Sequence, residues 1–201
     1  ADYCRLVLDR SDYPESFSRS FDLVYEAASK QIVIDMMLPS VDIIPAVVEF
    51  SYSPRTDEIR EKLRKPSETK ALYQDLISSI ALRTLHEMFE ADQGEHIEVV
   101  SFNGNVIARN RSTGRSEQKC LISVRATKSE FLAIDLRHID RSMCLRNLGA
   151  NVSRDPDEAV AVKPIVSYDM VDRRFVDQND ILAELDASIN LMDLDPFQFE
   201  H

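Results

Sequence analysis

The chain has 201 residues, of which 44% are hydrophobic and 29% are charged, and its formal net charge is −11. This composition is that of a globular protein long enough to bury a core, and it excludes a wholly disordered chain or a collagen-like repeat. No stretch approaches about 18 uninterrupted apolar residues, so no membrane span is predicted. The acidic balance argues against a chain wrapped broadly in nucleic acid, but it is compatible with a local basic patch.

The three cysteines, Cys4, Cys120 and Cys144, are widely spaced. An odd number without a short spacing gives neither a disulfide framework nor a zinc signature, so we expect buried thiols in a reducing cytoplasm. No basic region followed by an apolar one marks a signal peptide at the start. The chain begins without Met and ends in a sequence typical of the first turn of a helix, so we expect a piece of a longer protein.

The first third of the chain predicts mainly strands. Residues 3–8 favour a short strand, and the β-branched and aromatic runs 21–27 and 31–38 predict a hairpin. Residues 47–52 alternate in polarity and predict a further strand. The charged run 56–64 mixes signs at helical spacing and predicts a short solvated helix.

The clearest periodicity follows Pro66, where about 25 residues place their apolar side chains on one stripe. The pattern predicts a helix about 38 Å long that ends near Gly94. Leu82 alone lies off the stripe. The stripe consists of Tyr73, Leu76, Ile77, Ile80, Ala81, Leu85, Met88 and Phe89.

The rest of the chain predicts a second hairpin and several short elements. The hairpin joins residues 97–108 to residues 120–127 around Gly114. Hairpins separated from one long helix indicate an α+β domain rather than an alternating βαβ fold. We therefore predict a mostly antiparallel sheet built from β-hairpins, packed on one long amphipathic helix. Short helices are predicted at 128–135, 140–148 and 177–185, and a short strand at 159–168.

Motifs for catalysis are scarce in this sequence. Its four glycines supply neither a nucleophile elbow nor a phosphate loop, and its four histidines lack a metal-binding spacing. The (D/E/Q)-x-K pattern of Mg²⁺-dependent nucleases occurs as Glu117-Gln-Lys119 and as Glu68-Thr-Lys70. Neither match has a partner Asp at the end of an upstream strand. We therefore predict no catalytic and no metal-binding residue, and we expect Glu117 on a solvated hairpin edge.

The tip of the second hairpin is a basic cluster. An Arg-rich β-ribbon tip is suited to tracking phosphates or entering a groove of DNA. The alternative is a charged, soluble turn that protects a sheet edge from pairing. We predict this cluster as the nucleic-acid-binding site. It consists of Arg109, Arg111, Arg115 and Lys119, and Arg125 and Lys128 follow at the far end of the returning strand.

Several separated stretches resemble the region before the catalytic domain of bacterial Mrr-type restriction endonucleases, which belong to the PD-(D/E)xK superfamily. The final stretch, residues 190–201, resembles the entry to the Mrr nuclease domain itself. The other stretches are Lys70–Tyr73, Ile80–Asp92, His96–Gly104, Cys120–Thr127, Phe131–Leu136, Asn151–Arg154 and Met170–Val176.

The resemblance implies a non-catalytic part of a restriction enzyme that serves target recognition, oligomerisation or control of a downstream nuclease. Residues 1–186 would form this accessory domain, and residues 187–201 a linker and the first turns of the nuclease domain. The Mg²⁺-binding residues would lie beyond His201, so no cofactor is expected in this chain. The implied partners are the nuclease domain, DNA and a second copy. The alternative is a stand-alone acidic interaction or dimerisation module that does not contact DNA.

Overall fold

A computed structural model describes residues 2–14, 17, 20–55, 57–110 and 112–166. Along the chain, the first elements are helix α1, the hairpin β1–β2, a second hairpin β3–β4 and the long helix α2. The hairpin β5–β6, two short helices and a short strand come next. The bounds are α1 Asp2–Arg10, β1 Phe21–Glu26, β2 Gln31–Met37, β3 Val47–Ser53, β4 Glu58–Leu63, α2 Pro66–Ala91, β5 Val99–Arg109, β6 Ser116–Thr127, α3 Lys128–Leu132, α4 Arg141–Asn147 and β7 Asn151–Val152.

Five strands form one sheet in the order β1-β2-β5-β6-β7, and β3 and β4 form a separate two-stranded sheet. Pairing is antiparallel except between β2 and β5, which run parallel with Gln31 opposite Val99. A parallel pair needs a crossover, and the chain from β2 to β5 supplies it through α2. The α+β fold class with a mostly antiparallel sheet and one long helix is confirmed, and the sheet also contains this parallel pair.

Helix α2 is the packing partner of the large sheet. It starts with Pro66 in its first turn, where the missing N–H costs nothing, and its 26 residues span about 39 Å. The predicted apolar stripe is largely buried, and Tyr73 donates a hydrogen bond from its hydroxyl to the Pro39 carbonyl at 2.7 Å. Leu82 is buried as well, so the buried arc is wider than the predicted stripe. Within the described residues, no helix is both long and apolar enough to cross a membrane.

Two predicted elements have a different secondary structure from the one expected. Residues 3–8 lie in helix α1, not in a strand, because Cys4 and Leu8 are one helical turn apart and are both buried in the core. Residues 58–63 form strand β4 instead of a helix, because each of them pairs with a residue of β3. In both segments, tertiary contacts override the local pattern.

The elements after β6 are shorter than predicted. The Thr127 hydroxyl and the Glu130 carboxylate cap α3 reciprocally, and the Asp140 carboxylate caps α4. The predicted strand 159–168 does not form over its described residues 159–166. This segment is instead attached to β6 through isolated bonds, such as that from the Val162 N–H to the Cys120 carbonyl at 2.8 Å. The predicted helix 177–185 and the predicted boundary at 186/187 lie outside the described residues.

Candidate nucleic-acid interface

The predicted binding residues lie on the part of the β5–β6 hairpin that extends beyond the rest of the sheet. Pairing of β5 with β2 ends at Asn105, and pairing of β6 with β7 ends at Ile122. From Val106 to Arg109, β5 pairs with β6 alone among the described strands. These four residue pairs form a two-stranded ribbon that extends about 14 Å, at roughly 3.4 Å per residue.

A compact turn closes this ribbon. The Gly114 N–H donates to the Asn110 carbonyl at 2.7 Å, and Gly114 adopts a φ of +69°, in the left-handed region that favours glycine. The Asn110 side chain accepts hydrogen bonds from the Ser112 N–H and hydroxyl at 2.8 and 2.6 Å. These described residues of the turn therefore hydrogen-bond to one another. Arg111 lies outside the described residues.

The ribbon's register separates the predicted cations. Arg109 lies opposite Ser116, and Lys119 lies opposite Val106. Directly opposed residues of an antiparallel pair share a face and neighbours alternate, so Arg109 and Lys119 lie on opposite faces. Arg115 is at the turn. Arg109 and Arg115 therefore lie at the tip of the ribbon, whereas Lys119 lies at its base on the other face, so these cations do not form one basic face.

The cations of the tip lack partners in the described part of the chain. Arg109 and Arg115 are exposed and Lys119 is partly exposed, and none of their side chains forms an ion pair or hydrogen bond with a described residue. The neighbouring acid is engaged elsewhere, since the Glu117 carboxylate accepts two hydrogen bonds from the Asn110 amide at 3.0 and 2.9 Å. The tip thus presents charge that the fold does not use.

Lys128, at the other end of β6, has a structural role. Its Nζ lies 2.9 Å from the buried Asp92 carboxylate, which also accepts the backbone N–H groups of His96 and Ile97 at 2.9 and 3.0 Å. Burial acts to raise the pKa of Asp92, but these three hydrogen bonds outweigh it and lower the pKa. Lys128 therefore joins the start of α3 to the end of α2 and is not available to a ligand. Arg125 is exposed.

The structure adds a buried polar row that the sequence pattern had not singled out. The Asn103 amide donates to the Asp35 carboxylate at 2.6 Å and to the Val166 carbonyl at 2.7 Å. The Ser123 hydroxyl donates to Asn103 Oδ1 at 2.7 Å and accepts the Ile165 N–H at 2.8 Å. Two of these bonds fix residues 165–166 to the sheet, so the row is structural. In the sequence, the signal for this row was that polar residues occupy alternate positions of a strand that is otherwise apolar.

Neither a metal centre nor a reactive thiol emerges from the described residues. Nowhere among them do three or more His, Cys, Asp or Glu side chains form a group able to hold a metal ion. All three cysteines are free and buried, as predicted, and burial raises the pKa of the Cys120 thiol to about 11. At neutral pH this thiol stays protonated and is a poor nucleophile.

No family model matches the chain, and neither a curated protein nor a solved structure matches it. The relationship to Mrr-type endonucleases therefore stays a prediction. The geometry of the described residues supplies the remaining argument about function.

Proposed function

We propose that this chain is the non-catalytic N-terminal part of an Mrr-like restriction endonuclease, and that the β5–β6 ribbon brings the nuclease to DNA. The observation that carries the proposed DNA contact is that Arg109, Arg115 and Lys119 lie on a projecting ribbon and have no partner among the described residues. A two-stranded ribbon is one of the elements that the major groove of DNA admits. Arginine and lysine side chains on both faces of the ribbon would then contact phosphates on both sides of the groove.

The distribution of charge supports contact through the tip. Residues 105–120 contain four basic residues and one acid, a net charge of +3, whereas the rest of the chain carries −11 − 3 = −14. The acidic remainder repels the phosphate backbone, and the ribbon is therefore the part of the molecule that approaches it. Contact limited to the tip also predicts a small number of phosphate contacts, at most one for each of the four cations.

The test is the salt dependence of DNA binding. We expect the variant with Ala at positions 109, 111, 115 and 119 to bind a labelled duplex more weakly. Its plot of log Kobs against log salt concentration should be flatter, by about 0.9 for each lost phosphate contact. Fluorescence anisotropy over a salt series measures both quantities.

A matched control removes the same amount of charge elsewhere. The variant with Ala in place of four exposed arginines, Arg5, Arg10, Arg137 and Arg146, has the same net charge of −11 − 4 = −15. If the tip binds DNA, this control keeps the slope of the unaltered chain. Equal slopes for all three proteins would refute the assignment of the tip.

The nuclease part of the proposal has its own test. Sequencing the gene for roughly 120 codons beyond His201, the length of a small domain, shows whether a nuclease domain is encoded there. An Asp and, further along, a strand with Gln/Glu-x-Lys would support a Mg²⁺-dependent nuclease, whose metal ligands then lie outside this chain. A stop codon within a few residues would refute the nuclease and leave the recognition domain to act alone.

A second candidate function is that of an interaction module without DNA contact. The observation in its favour is the apolar face of the β3–β4 hairpin, where several large hydrophobic side chains are exposed. The two candidates differ in a simple mobility-shift measurement, in which an interaction module leaves the DNA probe unshifted at every protein concentration.

A further inference from the structure

The hairpin β3–β4 is a ribbon that stands apart from the core. Its pairing runs from Val47 opposite Leu63 to Ser53 opposite Glu58, with a bulge at Val48. Neither strand pairs with the five-stranded sheet. At its base, the Arg64 N–H donates to the Ala46 carbonyl at 2.7 Å, which joins the two ends of the ribbon.

The two faces of this ribbon differ in polarity. Alternation along paired strands separates them, with Phe50 opposite Glu61 and Tyr52 opposite Ile59 on one face. The other face is polar, and there Lys62 lies 3.3 Å from Glu49. The apolar face has one charged residue, Glu61. Five large hydrophobic side chains of this face are between 47% and 71% exposed. They are Val48, Phe50, Tyr52, Ile59 and Leu63.

This apolar face is as large as the largest apolar patch of many monomeric proteins. Large side chains present roughly 150–250 Å² each, so five that are about half to two-thirds exposed offer about 500 Å². That is comparable with the largest patch on a typical monomer, and such patches are often functional. A two-stranded hairpin is also marginally stable by itself, so a partner on this face would stabilise it.

We propose that this face binds the same face of a second copy of the chain across a two-fold axis. Two such faces together bury about 1,000 Å², which reaches the lower bound of a specific interface. The commonest oligomers are two-fold dimers, in which one patch meets its own copy. An apolar patch is complementary to itself and satisfies this requirement.

Charge favours a second copy at this place on the surface. Residues 47–64, which include the apolar face, contain four acids and four bases. They therefore add no net charge to a chain that carries −11. Two acidic surfaces repel each other, whereas the neutral ribbons approach without that penalty. A two-fold axis along the ribbon lays the aromatic strand of one copy, with Phe50 and Tyr52, over the aliphatic strand of the other, with Ile59 and Leu63.

Analytical ultracentrifugation of the full chain tests the proposal. We expect the unaltered protein to sediment as a dimer of about 46 kDa, twice the 23.0 kDa of the chain. The double variant Phe50→Thr/Ile59→Thr keeps β-branched residues in both strands but removes four large side chains per dimer. It should raise the dimer dissociation constant at least about 100-fold, because buried aromatic anchors dominate interfaces.

The control changes the opposite face of the same ribbon. Ser51→Thr/Arg60→Thr alters two adjacent positions and should leave the dimer intact. An unaltered chain that stays at 23.0 kDa over the whole concentration range would overturn the proposal, and so would a dimer that both variants leave unchanged. In either case the face would belong to a different partner or to none.

Cross-linking tests the same face without weakening it. Glu61→Cys places a thiol at the centre of the apolar face, and Arg60→Cys places one on the polar face. The native cysteines are buried, so a short bis-maleimide reacts with the introduced thiol. We expect covalent dimers from the first variant and not from the second, and equal cross-linking of both would contradict the interface. These tests involve no DNA and are independent of the nucleic-acid proposal.

Discussion

The two protruding hairpins are built from the same local element but owe their stability to different surroundings. The β5–β6 ribbon continues two strands of the main sheet, and its base is packed against α2 and paired with β2 and β7. The β3–β4 ribbon pairs within itself, and its apolar face is exposed. Its acids and bases are balanced, against a net +3 for residues 105–120. The ribbon that is anchored in the core thus exposes cations, whereas the separate ribbon exposes its apolar residues.

The largest expected difference in stability is between substitutions of two phenylalanines, one in a strand of each hairpin. Phe102 in β5 is 0% exposed, and Phe50 in β3 is 66% exposed. Phe102→Ala should lower the free energy of unfolding by about 3–5 kcal/mol through lost burial and a cavity. Phe50→Ala should cost about 0.5 kcal/mol in the monomer. Urea unfolding of dilute protein measures both, and similar costs would show that the β3–β4 face is covered within one chain.

Substitutions of two glycines compare the packing at the base of the β5–β6 hairpin with that at its tip. A Cβ at Gly104 would lie 2.7 Å from side-chain carbons of both Ile122 and Leu38, whereas a Cβ at Gly114 meets nothing within 4 Å. Gly104→Ala should therefore destabilise the fold by about 2 kcal/mol through overpacking. Gly114→Ala should cost about 1 kcal/mol from its left-handed backbone alone. Thermal unfolding ranks the two, and the reverse order would indicate a loosely packed base.

Two ion pairs give a further comparison, one between the end of α2 and the start of α3 and one within the β3–β4 ribbon. Lys128→Met removes the partner of the buried Asp92 and should cost about 1.5 kcal/mol, since a charged hydrogen bond is lost. Lys62→Met breaks the exposed pair with Glu49, at 3.3 Å, and should cost at most about 0.5 kcal/mol. Urea unfolding at pH 7 distinguishes them, and an equal loss would mean that Asp92 is reached by water.

The ion pair between Asp92 and Lys128 should also affect how the stability of the protein depends on pH in acid. Because the folded pKa of Asp92 is lowered, its stabilisation is complete above the ordinary value near pH 4 and is lost as pH falls through the folded pKa. The unaltered chain should therefore lose more stability between about pH 5 and pH 2 than Lys128→Met does. Parallel acid unfolding curves for the two proteins would contradict this assignment.

Elements with a strong period or a tight turn could be predicted from the sequence. The apolar stripe of α2 and the hairpins around Ala28-Ser-Lys30 and Gly114 were confirmed because local spacing specifies them. Strand β4 could not be predicted in this way. Its only apolar residues, Ile59 and Leu63, are four positions apart, a spacing that suits a strand as well as a helix, and pairing with β3 decides between them.

The geometry of the candidate site depended on the register of the strands. The basic residues of the ribbon were visible as a cluster, but the cross-strand pairing of Arg109 with Ser116 places Arg109 and Lys119 on opposite faces, and the sequence did not specify that pairing. The parallel pairing of Gln31 with Val99 could not be predicted either, because it joins residues far apart in the chain.

The bond between Asp92 and Lys128 has a consequence for the order of folding. It closes a loop of 128 − 92 = 36 residues that contains the whole β5–β6 hairpin, whereas the parallel pair joins residues 99 − 31 = 68 positions apart. Closing a longer loop costs more chain entropy, and distant contacts slow the search for the native state. We therefore expect the hairpin and α2 to form the folding nucleus and β1–β2 to dock on it last.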